Sequence, residues 1–290
     1  MILIGENLNI MSQNIGSALK GREPKPIQDL VKAEVAAGVD LIDINIGPAR
    51  KGGDELMDWA VKTVQAVTDK PLSLDTTNLV AMEAGLKVHK GQALINSISP
   101  ARLDVGLPLV RNYNAAMIGL LWGEEGMPRD ANERGMIAAE LIYKANEAGV
   151  ANEDIWIDPI AGPVSVDVSQ LNACLEFMSM LGELAPGCKS TVGLSNVSNG
   201  TPTHLRPHLN RAYLIMLMRY GLASAIVDAF DPELIKIARG EKPEIVDLVY
   251  RVMDGERPEL SALSEEEAAY VKTVRVLTGE TVYSHSWLEI

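Results

Sequence analysis

The amino-acid sequence predicts a (β/α)8 barrel, the TIM-barrel fold, as a single domain over residues 1–290. Eight short apolar runs are each followed by a helical pattern, and the repeat of roughly 30 residues is that of a βα unit. The runs are mostly apolar rather than alternating, which is typical of parallel strands buried on both faces. An open doubly wound sheet is the alternative, but the sequence has no G-x-G-x-x-G after the first run and no P-loop.

The predicted strands begin at Ile2, Leu41, Leu72, Ala93, Ala115, Ile155, Ser190 and Ala225. Pro26 opens the first predicted helix and Gly38 ends it, since proline favours helix starts and glycine favours helix ends. Apolar periodicity predicts further helices over residues 55–67, 78–88, 137–145, 171–181 and 212–220. Before the fifth strand, Gly106 and Pro108 predict a weak, broken helix. Residues 201–211 are predicted to be a polar loop.

The last part of the chain departs from the repeat and predicts an appended helical pair at about residues 243–278. In the first helix, over residues 243–253, Ile245, Leu248 and Val249 share one side. Ser264 and Glu267 have the spacing of a capping box and open the second helix. We expect this pair to pack on the barrel wall or at a subunit contact.

Composition excludes several classes of function. The formal net charge is −13 and the pI is near 4.8, so a nucleic-acid backbone is not an expected partner. No apolar run is long enough for a membrane span and no signal-peptide pattern opens the sequence, so we expect no membrane partner. The two cysteines, Cys174 and Cys188, make no disulfide framework, which predicts a cytoplasmic location.

Polar side chains cluster where the predicted strands end, and in a parallel barrel these ends converge on one mouth. The residues are Glu6, Asn9, Asp43, Asn45, Asp75, Asn96, Asp158, Ser195, Asn196 and Asp228. Each acid alone fits a helix N-cap equally well, but the whole set does not. Amides and carboxylates together match a neutral polar heteroaromatic ring such as a pterin, whose 2-amino and N3–H edge binds a carboxylate.

The same set argues against other chemistries. A zinc site uses clustered His and Cys, whereas the strand ends carry neither, so no metal is predicted. His204 and His208 have a helical ligand spacing, but Pro207 lies between them in the predicted loop. No Gly-x-Ser-x-Gly elbow is present, and no lysine ends a strand to form a Schiff base.

The motifs at these strand ends, taken in order, resemble the pterin-binding methyltransferases. They are Gly5-Glu6-x-x-Asn9, Asp43-Ile44-Asn45-Ile46-Gly47-Pro48, Leu74-Asp75-Thr76-Thr77-Asn78, Ile95-Asn96-Ser97, Ile157-Asp158-Pro159 and Gly193-Leu194-Ser195-Asn196-Val197-Ser198. The closest resemblance is to the methyltetrahydrofolate:corrinoid protein methyltransferases, and a more distant one is to the folate domain of cobalamin-dependent methionine synthase. Asn7 departs from the family pattern, in which an arginine is common.

The resemblance implies that tetrahydrofolate or 5-methyltetrahydrofolate binds at the mouth as substrate, and that a separate corrinoid protein supplies cobalamin. It implies that Asp75, Asn96 and Asp158 anchor the pterin, that Gly193 and Ser195 line the ring, and that Asn196 binds near N5. A protonated Asp75 or Asp158 is the alternative to Asn196 as the proton donor at N5. Arg206 matches the loop arginine of the family, and we expect it to meet the folate tail. Glu6, Asn9 and Asp43 complete the expected folate site.

The expected reaction moves a methyl group between N5 of tetrahydrofolate and cobalt, either in a catabolic demethylase system such as O-demethylation or in the acetyl-CoA pathway. The tail helices favour the catabolic system. We also expect a homodimer. A dihydropteroate synthase-like enzyme is one alternative, although its Ser-Arg-Lys is replaced here by Ser195-Asn196-Val197. A non-catalytic folate-binding or corrinoid-docking module is the other.

Overall fold

The computed structural model describes residues 1–289 and contains eight parallel strands. They are β1 (Ile2–Gly5), β2 (Leu41–Asn45), β3 (Leu72–Asp75), β4 (Leu94–Ile98), β5 (Ala116–Leu120), β6 (Ile155–Asp158), β7 (Lys189–Ser190) and β8 (Ser224–Val227). The strand order β7-β6-β5-β4-β3-β2-β1-β8 leaves β7 and β8 at the two ends of the sheet. The N–H of Ile226 donates to the carbonyl of Val192 at 2.9 Å and joins these ends. The predicted (β/α)8 barrel is therefore confirmed.

Eleven α-helices lie among the described residues. They are α1 (Gln13–Gly21), α2 (Pro24–Ala37), α3 (Gly53–Gln65), α4 (Leu79–Val88), α5 (Leu103–Asn112), α6 (Ala131–Glu147), α7 (Val168–Leu184), α8 (Arg206–Met218), α9 (Pro232–Ala238), α10 (Pro243–Met253) and α11 (Glu265–Leu277). Helix α1 was not predicted, and α2 begins at Pro24, two residues before the predicted start at Pro26.

Two predictions based on proline and glycine are wrong. Helix α5 is continuous, with Pro108 inside it, and a Cβ on Gly106 would lie 2.8 Å from Cδ1 of Ile98. Gly106 therefore lets α5 approach β4 closely and does not break the helix. Helix α8 begins at Arg206, inside the predicted loop 201–211, because Pro207 occupies its first turn, where the missing N–H costs nothing.

The appended helices are confirmed. Helix α10 has the predicted bounds, and the capping box between Ser264 and Glu267 opens α11. Both helices pack on α8, and α11 also contacts α7, so they lie on the outer wall of the barrel. No helix within residues 1–289 is long and apolar enough to cross a membrane.

The barrel interior changes from apolar to polar along the strands. Ile4, Leu94, Ile118, Trp156 and Ile226 are among the residues of a buried apolar cluster inside the barrel. Alternate residues of a strand share a face, so the side chains that follow them toward the carboxyl ends also point inward. On β2 this sequence runs from an apolar residue to Asp43 and then Asn45. The polar mouth therefore stands on an apolar layer that excludes water.

Candidate active site

The ends of β2, β3 and β4 form one hydrogen-bonded group of polar side chains. Asp43 is 3% exposed, and its Oδ1 accepts hydrogen bonds from Ser73 Oγ at 2.5 Å and Asn96 Nδ2 at 3.1 Å. Burial raises the pKa of Asp43 to about 6, although both hydrogen bonds favour the ionised carboxylate. Asn96 is thus held in place by Asp43, one strand beyond Asp75.

Asp75 is the next member of this group. Asn45 Nδ2 donates to Asp75 Oδ2, while Asn45 Oδ1 accepts from the N–H of Gly47 at 3.0 Å. Burial, followed by the negative charge of Asp43, raises the pKa of Asp75 well above its usual value. Asp75 and Asn96 line a cavity of about 170 Å³ with Thr77, Arg102 and Trp122, among other residues. We call this the β3–β4 cavity.

Asp158 ends β6 and is 9% exposed. Its Oδ1 accepts from the N–H of Ile160 at 2.8 Å. Burial raises the pKa of Asp158 to about 6, and the nearby backbone N–H groups of Ile160 and Gly193 and the charge of Arg134 oppose the rise. The Ile160 bond holds the turn after β6.

Asn196 lies on a 3-10 turn, Leu194–Ser198, that follows β7. It is exposed, and its Oδ1 accepts from Asn199 Nδ2 at 3.4 Å, which leaves the Nδ2 donor to the mouth. Asn196 lines a cavity of about 290 Å³ with Trp122, Met127, Ile160, Pro163 and Val166, among other residues. We call this the apolar cavity. Trp122 lines both this cavity and the β3–β4 cavity, so the two adjoin.

The opposite side of the mouth is formed by β1, β8 and the start of α8. Ser195 Oγ donates to Glu6 Oε2 at 3.0 Å. Burial raises the pKa of Glu6 to about 7, the charges of Asp228 and Asp43 add to the rise, and the Ser195 bond and Arg206 oppose it. Glu6, Arg206 and Asp228 line a third cavity of about 250 Å³, the β8 cavity.

Two of the predicted site residues, Arg206 and Asn9, form hydrogen bonds with residues of the neighbouring loops. Arg206 Nε donates to Ser198 Oγ at 3.0 Å and Arg206 Nη2 to the carbonyl of Ser195 at 3.4 Å, so its guanidinium holds the turn that carries Asn196. Asn9 Oδ1 accepts from the N–H of Met11 at 2.8 Å. Asn9 therefore shapes the loop after β1, and its contact with a ligand stays a prediction.

Three residues were missed by the sequence reasoning. Glu34, on α2, is fully buried beneath the mouth and accepts from the N–H of Asn7 at 3.1 Å. In the sequence, Asn7 was identified only as the position at which the family motif commonly has arginine. In the structure it also donates from Nδ2 to Asp228 Oδ1 at 2.8 Å. It thereby links β1 to β8. Ile160 has a left-handed backbone with φ of 65°. The Asp-Pro dipeptide before Ile160 is a turn signal that could have marked this position.

Other parts of the described chain are weaker candidates for the functional site than the barrel mouth. Within residues 1–289 no group of three or more His, Cys, Asp or Glu is arranged to hold a metal ion. A cavity of about 550 Å³ lies on the outer wall between α5 and α6, and Leu107, Arg111 and Lys144 are among its lining residues. It contains none of the predicted site residues, all of which come from the mouth.

Comparison with known proteins places this mouth in a family. The family described as "Pterin binding enzyme" matches residues 5–228, from the end of β1 to the residue after β8. The chain belongs to the pterin-binding enzymes. The match leaves out α10 and α11, which agrees with their interpretation as an addition to the barrel. The predicted family resemblance is therefore confirmed.

Curated relatives give the resemblance more detail. The chain is 28% identical over 233 residues to a methylcorrinoid:tetrahydrofolate methyltransferase of Eubacterium limosum, covering 79% of this chain and 85% of that protein. It is 26% identical over 279 residues to the methionine synthase of Mycobacterium tuberculosis, covering 91% of this chain but only 23% of that much longer protein.

Solved structures support the fold alone. The dihydropteroate synthase of Thermus thermophilus superposes with a TM-score of 0.62 at 21% identity, over 84% of this chain and 93% of that chain. The enzyme from Xanthomonas albilineans, in complex with 7,8-dihydropteroate, gives 0.63 at 18% identity, over 83% and 93%.

Proposed function

We propose that this pterin-binding enzyme transfers a methyl group between N5 of tetrahydrofolate and the cobalt of a cobalamin held by a separate corrinoid protein. The observation that carries the proposal is the exposed amide of Asn196 in the same barrel mouth as Asp75, Asn96 and Asp158. The similarity to the Eubacterium limosum methyltransferase supports it.

The acid and amide groups fit the hydrogen-bonding pattern of a pterin. In the proposed complex, a carboxylate of Asp75 or Asp158 accepts from the 2-amino and N3–H edge, and Asn96 supplies a mixed donor and acceptor. The carboxyl groups are held by neighbouring residues before the ligand arrives. The site is therefore preorganised, and little ordering cost remains for binding.

Asn196 would act where charge changes at N5. When the N5–methyl bond breaks, the electron pair stays on N5, and an amide N–H that hydrogen-bonds to N5 stabilises that charge. In the reverse direction the N5 lone pair attacks the methyl group, cobalt leaves with the electron pair, and the N5 proton is lost. Asn196 does this without titrating, and a protonated Asp75 or Asp158 is the alternative donor.

We propose that the chain forms methyltetrahydrofolate as its product, by accepting the methyl group from a corrinoid protein of a catabolic demethylation system. The name of the Eubacterium limosum relative, a methylcorrinoid:tetrahydrofolate methyltransferase, supports this direction over the acetyl-CoA pathway. The homodimer and the cytoplasmic location stay predictions.

The test is turnover with defined substrates under anaerobic conditions. The purified chain is mixed with tetrahydrofolate and methylcobalamin, free or on a corrinoid protein, and the corrin spectrum is followed. Conversion of the methylcobalamin spectrum to that of cob(I)alamin, with formation of 5-methyltetrahydrofolate, supports the proposal. Tetrahydrofolate binding without any spectral change would instead identify a folate-binding or corrinoid-docking module.

A further inference from the structure

A fully buried guanidinium lies beneath the loops on one side of the barrel mouth. Arg134, on α6, donates to four uncharged oxygens, three main-chain carbonyls and one side-chain amide. A buried charge is usually paired with an opposite charge, because removing an ion from water is costly. An apolar residue packed at this position would serve stability at least as well. The burial of Arg134 therefore indicates a role in the site that these loops form.

The four acceptors come from two loops of the mouth and one helix. The guanidinium Nε donates to the carbonyl of Pro159 at 2.8 Å, in the loop between β6 and α7. Its Nη1 donates to the carbonyls of Pro128 at 3.5 Å and Asp130 at 3.2 Å, in the loop between β5 and α6. Its Nη2 donates to Oε1 of Gln170 on α7 at 2.9 Å, and Gln170 Nε2 donates to the carbonyl of Arg129 at 3.3 Å. One side chain thus ties the loops after β5 and β6 together.

These two loops carry side chains of the proposed site. Pro159 directly follows Asp158, whose Oδ1 accepts from the N–H of Ile160, the residue with a left-handed backbone. The carbonyl that Arg134 binds therefore belongs to the same turn as the Asp158 carboxylate. The loop after β5 carries Trp122, which lines both the apolar cavity and the β3–β4 cavity. Loss of the guanidinium would free this turn and move the carboxylate with it.

The charge of Arg134 also acts on Asp158, where it opposes the rise in pKa that burial causes. Four further titratable groups near the guanidinium, from the start of α6, from α7 and from α8, are Asp130, Glu133, Cys174 and Tyr213. Burial raises the pKa of Cys174 to about 11 and that of Tyr213 well above its usual value, so both stay neutral near pH 6. Hydrogen bonds from Arg129 lower the pKa of Glu133, so it stays ionised there. Asp158 is the member of this set that lies in the mouth.

The other predicted carboxylate anchor has the opposite environment. Asp75 lies near Asp43, whose negative charge adds to burial in raising the pKa of Asp75. Asp158 instead has the cation of Arg134 behind its turn. Two carboxyl groups whose surroundings push their pKa values apart divide the acid and base roles between them. Asp158 therefore suits the ionised acceptor, and Asp75 suits the protonated donor.

We infer that Arg134 is a positioning residue of the proposed reaction. It holds the turn after β6 and keeps the Asp158 carboxylate charged at the mouth, where this carboxylate accepts hydrogen bonds from the pterin N–H edge. The inference rests on the proposed function and assigns roles within it, because it makes Asp158 the acceptor and leaves the protonated carboxyl group to Asp75. Arg134 is itself fully buried, so it acts through Asp158.

The test follows the Kd of tetrahydrofolate between pH 5 and pH 8 by anaerobic calorimetry. Arg134→Met removes the charge and keeps a long unbranched side chain, whereas Arg134→Lys keeps the charge but loses the planar set of donors. Arg111→Met is the matched control, because Arg111 is an exposed arginine at the outer-wall cavity between α5 and α6. Each Arg134 variant is also made in an Asp158→Asn background, which isolates the effect that passes through Asp158.

We expect Arg134→Met to raise the pH below which affinity falls by about 0.5–1 pH unit, because Asp158 loses a charge that favours its ionised form. At pH 5 this corresponds to about three- to tenfold weaker binding than wild type, beyond any loss measured at pH 8. Arg134→Lys should weaken binding by the same factor at every pH, and Arg111→Met should match wild type. In the Asp158→Asn background, Arg134→Met should leave the pH profile unchanged.

An affinity loss in Arg134→Met that is equal at every pH would show a purely structural role and overturn the inference. A profile that shifts equally in the Asp158→Asn background would overturn it too. If Arg134→Met does not fold, Gln170→Glu replaces it, since a carboxylate at the position of this amide pairs with the guanidinium and cancels its charge. The same rise in pH is then expected, and an unchanged profile contradicts the inference.

The proposed function fails separately. Tetrahydrofolate binding with the expected profiles but without methyl transfer would overturn the proposed function and leave the role of Arg134 in folate binding. A wild-type chain that does not bind tetrahydrofolate at any pH would overturn both.

Discussion

The side-chain oxygens of Thr201 and Tyr283 lie 2.6 Å apart and connect the segment after α11 to the loop after β7. From Thr201 the contacts continue inward. Its N–H donates to the carbonyl of Ser198 at 3.1 Å, and Ser198 Oγ donates to the carbonyl of Ser195 at 3.1 Å. The segment that follows the appended helices therefore supports the turn that carries Asn196.

We predict that Tyr283→Phe lowers the free energy of unfolding by about 1 kcal/mol, the usual net value of one hydrogen bond. It should also lower kcat more than it weakens tetrahydrofolate binding, because a looser turn misplaces Asn196. Urea unfolding, calorimetry and methyl-transfer assays measure the three quantities. Val282→Ala is the control, since Val282 is 86% exposed. Full kcat in Tyr283→Phe would show that the turn keeps its geometry without this bond.

The second prediction concerns the amide of Asn196. If its N–H stabilises charge at N5, Asn196→Ala should raise the barrier by about 2.7–4 kcal/mol, or lower kcat by about 10²–10³. The Kd of tetrahydrofolate should change little, because the bond strengthens only as charge develops. Single-turnover methyl transfer measures the effect, with Asn132→Ala, at an exposed position on α6, as the control. A rate close to wild type would assign the donor role to Asp75 or Asp158.

The sequence could predict the barrel and its strand ends because both follow from local patterns. Apolar runs mark buried strands, and the polar residue after each run marks the mouth, as at Asp75 and Asp158. It could not predict that Pro207 lies in the first turn of α8, or that Gly106 allows α5 to pack closely on β4. The same residues that end helices also start them or allow close packing, and only the neighbouring element decides between these roles.

The sequence also could not predict the role of Glu34. It occupies a helical position beside apolar residues, and its environment comes from Gly5 and Asn7 on another element. The same is true of the cavities, whose walls combine loops that are far apart in the chain. Side chains that belong to one strand end were predictable, and those whose role arises between elements were not.

The third prediction uses the burial of Glu34, which raises its pKa to about 8 from a usual value of 4.5. Between these two values the unfolded chain has lost this proton and the folded chain keeps it. The folded state then binds more protons, so this group makes stability fall as pH rises from about 4.5 to about 8. The pKa-lowering bond from Asn7 does not compensate for burial.

Glu34→Gln removes this titration while keeping an oxygen to accept from Asn7. We expect the variant to be more stable than wild type by about 2–4 kcal/mol at pH 8, with the difference vanishing near pH 4.5. Urea denaturation across this pH range measures it, and Glu183→Gln, at an exposed position on α7, is the control. A stability difference that does not change with pH would mean that Glu34 is already ionised in the folded protein.

The last prediction concerns the pH dependence of folate affinity. Burial raises the pKa of Asp158 to about 6 in the free protein. Pterin N–H groups favour the ionised carboxylate, so binding must remove the proton from Asp158 when the pH is below this value. Affinity should therefore fall as pH decreases below about 6, by up to tenfold per pH unit for this one group. Above that pH the contribution of Asp158 should be constant.

Asp43, Asp75 and Glu6 also have raised pKa values and share the mouth, so the wild-type profile alone does not assign the effect. Asp158→Asn keeps the size of the side chain and removes its titration. We expect it to bind tetrahydrofolate more weakly at pH 7 and to lose less affinity than wild type between pH 7 and pH 5. The difference between the two calorimetric profiles isolates Asp158 from the other carboxyl groups. Parallel profiles would contradict this assignment and place the pterin N–H edge at Asp75, the other predicted carboxylate anchor.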